Sequence, residues 1–251
     1  MTNERLCAEL HSAEITLERF SEAVGVDPKT VERWVSTDRV PHRAHRQVVA
    51  SLLGKDEVFL WPSTQSEARI TSASAAEFVA LHPSRGAIPA GTWAALLDGA
   101  RESIDLLAYA ASFLHDSVDG FAERLAGRAD QGVRVRLLFG DPDSDAVRRR
   151  GEEEGIGRLL AARCELTWAY YAPILGNRAI EARMHDQTVY SSIFRFDEVL
   201  LANTHTLGAA ASHSPVLQIH RVPGGRLFSS YMDSFERTWS CASGATPPAN
   251  G

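Results

Sequence analysis

Residues 20–34, FSEAVGVDPKTVERW, constrain this chain more than any other stretch. Gly25 stands where a backbone turning between two short helices needs a positive φ, which glycine adopts without strain. Asp27 is placed to cap the second helix, and Pro28 suits its first position because proline has no N–H to leave unpaired there. Val31 and Trp34, three residues apart, share an inward face. Lys29, Thr30, Glu32 and Arg33 are left on the outer, N-terminal part of the same helix. The flanking pattern predicts further helices over residues 3–10, 16–24 and 42–53, the last stopped by Gly54. A loop over 37–41 carries Arg39, a closing helical turn spans 56–60, and Trp61 with Pro62 ends the domain.

VDPKTVERW, followed by a short loop and RVPHRAHR, closely resembles the Cro/repressor class (XRE family) of helix-turn-helix domains, over about the first sixty residues. The resemblance implies that Lys29, Thr30, Glu32 and Arg33 read base edges, while Arg39, His42, Arg43 and Arg46 lie along the phosphate backbone. It also implies a double-stranded DNA operator bound by a homodimer, with half-sites spaced by about one helical turn. Overall charge does not oppose this. The chain of 251 residues carries a net charge of -6 and a pI near 5.9, which argues against coating nucleic acid nonspecifically. Within residues 1–60, ten acids outnumber eight Lys and Arg, so only the cluster from Arg39 to Arg46 is locally basic.

Three cysteines, Cys7, Cys164 and Cys241, are far apart and have no partner at metal-ligand spacing, which suits a reducing compartment and implies neither disulfide nor zinc. No run approaches the roughly twenty apolar residues of a membrane span, and the polar start MTNERLCAEL is unlike a signal peptide. The expectation is a cytoplasmic protein with no cofactor and no membrane partner.

Residues 63–74, rich in Ser, Thr and Ala without apolar period, predict a linker. Residues 75–81 suit helix or strand, and HPSRGAIPAG a loop. Beyond it the pattern alternates: helix 92–101, strand 104–110, helix 120–128, strand 133–139, a charged helix 145–162 and a third strand 165–171. Strands at 179–184, 188–195, 198–203 and 216–222 follow, with a hairpin turn at Asp197, then a helix 226–240 presenting Leu227, Tyr231, Phe235 and Trp239. GEEEG at 151–155 predicts solvated surface. The expected fold is an all-α helix-turn-helix domain over 1–62 and an α/β domain over 75–242.

At RMHDQ the sequence resembles one half of a phospholipase D-type site, in which a His, a Lys two residues on, an Asp five further and an Asn about ten beyond gather at one edge of a mixed sheet. His185 holds the His position and Asn203 fits the Asn, but Gln187 replaces the Lys and Ser192 the Asp. That chemistry passes through a phosphoryl-His intermediate and needs the Lys charge, so the expectation is a phospholipase D-like mixed sheet with a pocket and little or no turnover. The predicted lining comprises Tyr109, Phe113, Asp141 and Asp143, then Arg183, His185, Gln187, Arg195, Asn203 and His220. His185 also fits a satisfied interior histidine. Arg195, flanked by two phenylalanines, needs an anion, either Asp197 or a ligand carboxylate or phosphate.

Three functions follow. In the first, a transcriptional regulator binds its operator as a dimer and a small-molecule effector in the second domain modulates it. The second is a phosphodiesterase using His185. The third is an architectural DNA binder with an inert second domain.

Overall fold

The computed structural model describes residues 2–37, 39–64 and 67–244 and divides into two compact units. The first comprises Met1–Ala75 with Val222–Arg226, the second Ala76–Arg221 with Leu227–Gly251.

The first unit is helical: α1 (Glu4–Ser12), α2 (Leu17–Val24), α3 (Pro28–Thr37), α4 (Arg43–Leu53), α5 (Glu57–Leu60) and the start of α6 (Glu67–Glu77). Asn3 caps α1 by accepting from the Leu6 amide at 2.9 Å, and its own amide donates to the Leu60 carbonyl at 2.8 Å. Thr16 caps α2, and Gly25 ends it with φ 77°. Asp27 accepts from the Lys29 amide at 2.9 Å, so α3 starts at Pro28 as its capping signals require. Leu6, Phe20, Val31, Trp34, Val49, Leu60 and Trp61 form the core, with Trp34 edge-on to Trp61. The predicted linker is in part α6, since Ser and Ala tolerate a helix without an apolar stripe; Gln65 and Ser66 lie outside the described residues.

The second unit is built on a mixed sheet of eight described strands in the order β1-β7-β6-β5-β2-β3-β4-β8. In chain order it runs β1 (Phe78–His82), α7 (Ala90–Gly99), β2 (Ser103–Ala108), α8 (Ser112–Ser117), α9 (Phe121–Asp130), β3 (Arg134–Gly140), α10 (Asp145–Glu153) and α11 (Leu159–Tyr171). Then come β4 (Ile180–His185), β5 (Ser191–Phe196), β6 (Val199–Thr204), β7 (Val216–His220), α12 (Leu227–Cys241) and β8 (Ser243–Gly244). β2, β3 and β4 are parallel and the remaining pairs antiparallel. One sheet face, with Ile104, Leu106, Val135, Leu137 and Phe194, packs on α7, α8, α9 and the end of α11. The other, with Leu107, Leu138, Ile193 and Leu200, packs on α10, the start of α11 and α12.

Three expectations need correction here. Residues 165–171 are helix, not strand: Leu160, Cys164, Thr167, Trp168 and Tyr171 are buried at intervals of three and four, so the period is helical and the third parallel strand is β4. The single charged helix predicted over 145–162 is two, α10 and α11, separated by Gly155 and Gly157, both at positive φ. GEEEG is accordingly only partly solvated: Gly151 is buried, and the Glu154 side chain is 6% exposed in an ion pair with Arg150. The hairpin turn at Asp197 is present, with φ 51°, and its carboxylate accepts from the Arg101, Glu102 and Ser103 amides.

Candidate functional sites

The first candidate surface is on α3 and the segment after it. Val31 and Trp34 anchor the helix, so its other side is exposed, and Lys29, Glu32 and Arg33 project from it with Thr30 half-buried beside them. Arg39, His42 and Arg43 are exposed next along the chain. Thr30, Arg33, Arg39, His42 and His45 line an open hollow of about 280 Å³ over Trp34 and Pro41. Helix α4 begins at His42 without a side-chain cap, so its first amides remain available. Arg46 departs from the expectation. Its Nε binds Glu57 at 3.0 Å and one terminal nitrogen donates to the Pro41 carbonyl at 2.8 Å, so it pins the loop to α4 rather than projecting outward.

The second candidate lies where the C-terminal ends of β2, β3 and β4 meet the start of β5 and the end of β6. A cavity of about 60 Å³ opens there, walled by Arg85, Tyr109, Ser112, Glu154, Arg163, Ser192, His205 and Ser212. Arg85 comes from the loop after β1, stacks over the Phe113 ring at 4.0 Å and donates to the Asn203 side-chain oxygen at 3.3 Å. Asn203 is held in turn by donating to the Ser214 and Pro215 carbonyls. Burial, reinforced by Arg163 and opposed by Glu154, pushes the Arg85 guanidinium down to about 10.

His205 and Ser192 form a pair on the cavity wall. His205 Nδ1 lies 2.9 Å from the Val189 carbonyl, which can only accept, so the hydrogen-bond network assigns the ring proton to Nδ1. Nε2 of the neutral ring then accepts the Ser192 hydroxyl at 3.0 Å. Burial pushes His205 down to about 4, the Val189 carbonyl opposes it, and the charges of Arg150 and Arg85 reinforce the fall. Tyr109 stacks on His205 at 5.7 Å, and its hydroxyl accepts from the Val189 amide at 3.1 Å.

Of the predicted lining residues, Tyr109 reaches the cavity wall and Phe113 and Asn203 support it. His185 is fully buried beside Tyr109, at 5.6 Å between ring centroids. Its Nε2 is tied to the Ala108 carbonyl at 3.1 Å, and its Nδ1 has no partner among the described residues. Burial lowers its pKa, against the Ala108 contact. The other residues go elsewhere. Gln187 is exposed and bonds Asp186, and Asp141 closes the turn into α10 by accepting from the Asp143 amide. Asp143 is exposed.

Arg183 stacks over Trp239 at 4.5 Å and donates to its carbonyl, which commits it to α12. Arg195 makes no hydrogen bond to the Asp197 carboxylate among the described residues. It donates to the buried Asp105 carboxylate at 2.8 Å and to the Asp197 backbone carbonyl at 2.8 Å, on the α12 side of the sheet. His220 is exposed at the opposite end of the strands, in register with Val199. Sequence reasoning missed Arg85, Ser112, Glu154, Arg163 and His205 as site residues and named Ser192 only as a replacement. No local motif marks them, because loop, helix and strand ends contribute one or two each.

The class these features define is a two-unit protein, a helical unit and an α/β unit with an arginine-lined cavity at the sheet end. Residues 75–210 match the family described as a domain of unknown function (DUF5919), and the chain belongs to it. No curated protein matches the sequence. Among solved structures, the archaeal chromatin protein TrmBL2, described as showing a novel mode of DNA binding, is 14% identical with a TM-score of 0.44 over 80% of this chain. The match spans 61% of that protein's length. Nuc from Salmonella typhimurium, a phospholipase D family member, is 15% identical with a TM-score of 0.41, covering 62% of this chain and 89% of its own. NucT from Helicobacter pylori is 8% identical with a TM-score of 0.39 at the same coverages. No described helix is long and apolar enough to cross a membrane.

Proposed function

We propose that the chain is a sequence-specific DNA-binding transcriptional regulator that engages a twofold operator as a homodimer, with a phospholipase D-like second unit acting as an effector-binding body. The observation that carries this is the outward face of α3. A capped helix, anchored by Val31 and Trp34, presents Lys29, Thr30, Glu32 and Arg33 beside an uncapped α4 start flanked by Arg39, His42 and Arg43. A helix with free polar residues on its first turns suits the major groove, and exposed cations beside available amides suit phosphates.

Electrophoretic retardation of genomic fragments at low ionic strength tests the reading; a purified protein that retards none of them removes it. Arg33→Ala is expected to cost about 1–3 kcal/mol on the preferred operator and to relax preference at one base. Arg43→Ala is expected to weaken matched and scrambled sequences alike and to flatten the salt dependence. Equal losses for Arg33→Ala on both sequences would remove its base-reading role.

The same reading takes the second unit to be without phosphodiesterase turnover, supported by the exposure of Gln187 and the tethering of His185 Nε2 to a backbone carbonyl. Hydrolysis of a chromogenic phosphodiester that disappears in His185→Ala would overturn this part and favour the enzyme.

A further inference from the structure

We propose that the cavity walled by Arg85, Arg163, Ser112, Ser192, His205 and Ser212 is a receptor for one small oxyanion group, a phosphate or a carboxylate, carried free or on a metabolite. This names the ligand class for the effector-binding body and rests on that reading.

The argument is one of unmet charge and unmet donors. Arg85 has no carboxylate partner among the described residues: its contacts are the neutral Asn203 oxygen and the Phe113 ring. Arg163, at the rim, likewise makes no described ion pair. The carboxylate on the wall, Glu154, is engaged by Arg150 at 2.8 Å, with Arg150 also held by the Ala209 carbonyl at 3.0 Å. Arg150 also meets Glu153 at 3.5 Å, so Glu154 acts on Arg85 through space without a direct ion pair, and Arg85 and Arg163 both border the cavity. A guanidinium removed from water without a counter-charge is costly, and an anion entering the cavity relieves that cost.

The donors point the same way. The Ser112 and Ser212 hydroxyls make no hydrogen bond to any described residue, and both line the space. The Ser192 hydroxyl donates to His205 Nε2 and can turn to an anion instead. The space, about 60 Å³, suits one small oxyanion group. Ser192 stands at the Asp position of the phospholipase D-like pattern and Asn203, which holds Arg85, at its Asn position, so the cavity overlaps that degenerate site, while His185 and Gln187 lie off its wall.

The test is titration calorimetry of the full chain, free of DNA, with sodium phosphate, sulfate and acetate, each against sodium chloride at matched ionic strength. Saturable binding of at least one oxyanion is expected. Arg85→Gln should weaken it by at least about tenfold, and Arg163→Gln by a few-fold. The order of phosphate, sulfate and acetate separates a tetrahedral from a planar ligand. Arg183→Gln, on the α12 side of the sheet, should leave affinity unchanged.

Absence of saturable binding for all three ions, or binding indifferent to both Arg85→Gln and Arg163→Gln, overturns the proposal. Arg163 is exposed, so its variant keeps the test valid if Arg85→Gln fails to fold. Because DNA is absent, a negative result removes the anion site alone, whereas failed DNA retardation removes the regulator.

Discussion

Replacing Asp105 by Ala tests whether the charged residues under α12 are structural. Asp105 is fully buried, accepts from Arg136 Nε at 2.6 Å and from Arg195 at 2.8 Å, and has Arg134 at 3.8 Å. Arg136 would survive its loss, because Glu236 holds both its terminal nitrogens at 2.9 and 2.7 Å. Arg195 would not, since Asp105 is its carboxylate partner and the Asp197 backbone carbonyl alone remains. One largely buried guanidinium is thus left without a counter-charge, which costs about 3–5 kcal/mol. For a unit of this size each kcal/mol moves the midpoint by about 2–4 °C, so a fall of roughly 10 °C is expected. Thermal and urea unfolding followed by circular dichroism measure it. Adding Arg195→Met should recover part of the loss, with a coupling of at least about 1 kcal/mol. A loss below about 1 kcal/mol for Asp105→Ala, or strict additivity in the double variant, would refute the reasoning and return Arg195 to consideration as a ligand residue.

Other outcomes follow from the same geometry. His205 is held neutral, with its pKa lowered to about 4 from 6.5, so the unfolded chain binds more protons between those values. Its contribution is full above about pH 6.5 and is lost as pH falls towards 4; on the order of 3 kcal/mol is at stake. Unfolding midpoints across this range should fall less steeply in His205→Gln than in the parent, and parallel profiles would contradict the assignment. Gly151→Ala should destabilise the second unit by about 1–3 kcal/mol, because a Cβ there overlaps the Gly157 carbonyl oxygen and lies 3.0 Å from its carbon. An unchanged denaturation midpoint would show that the turn between α10 and α11 yields easily.

How much the sequence determined differs between the two units. In the first, the information is local: Thr16, Gly25, Asp27 and Pro28 act on backbone groups within four residues of themselves, so helix starts and stops are legible directly. Strands β2, β3, β6 and β7 were legible too, because buried strands carry apolar runs. Residues 165–171 were misread because LTWAYY is apolar enough for a strand, and only packing against Phe139 and Phe121 reveals which side of the segment is buried.

The site was decided by the tertiary structure. Arg195 carries the same sequence signal whether its anion is a ligand or a side chain, and the choice fell to Asp105, ninety residues away and opposite it in the β2–β5 register. Arg85 and His205 carry no motif at all; they become a cationic cavity wall only when a loop, two strand ends and α11 arrive at one end of the sheet. Capping and alternation act over a few residues and are written along the chain, whereas the pairing of a buried charge depends on which distant group the fold sets beside it.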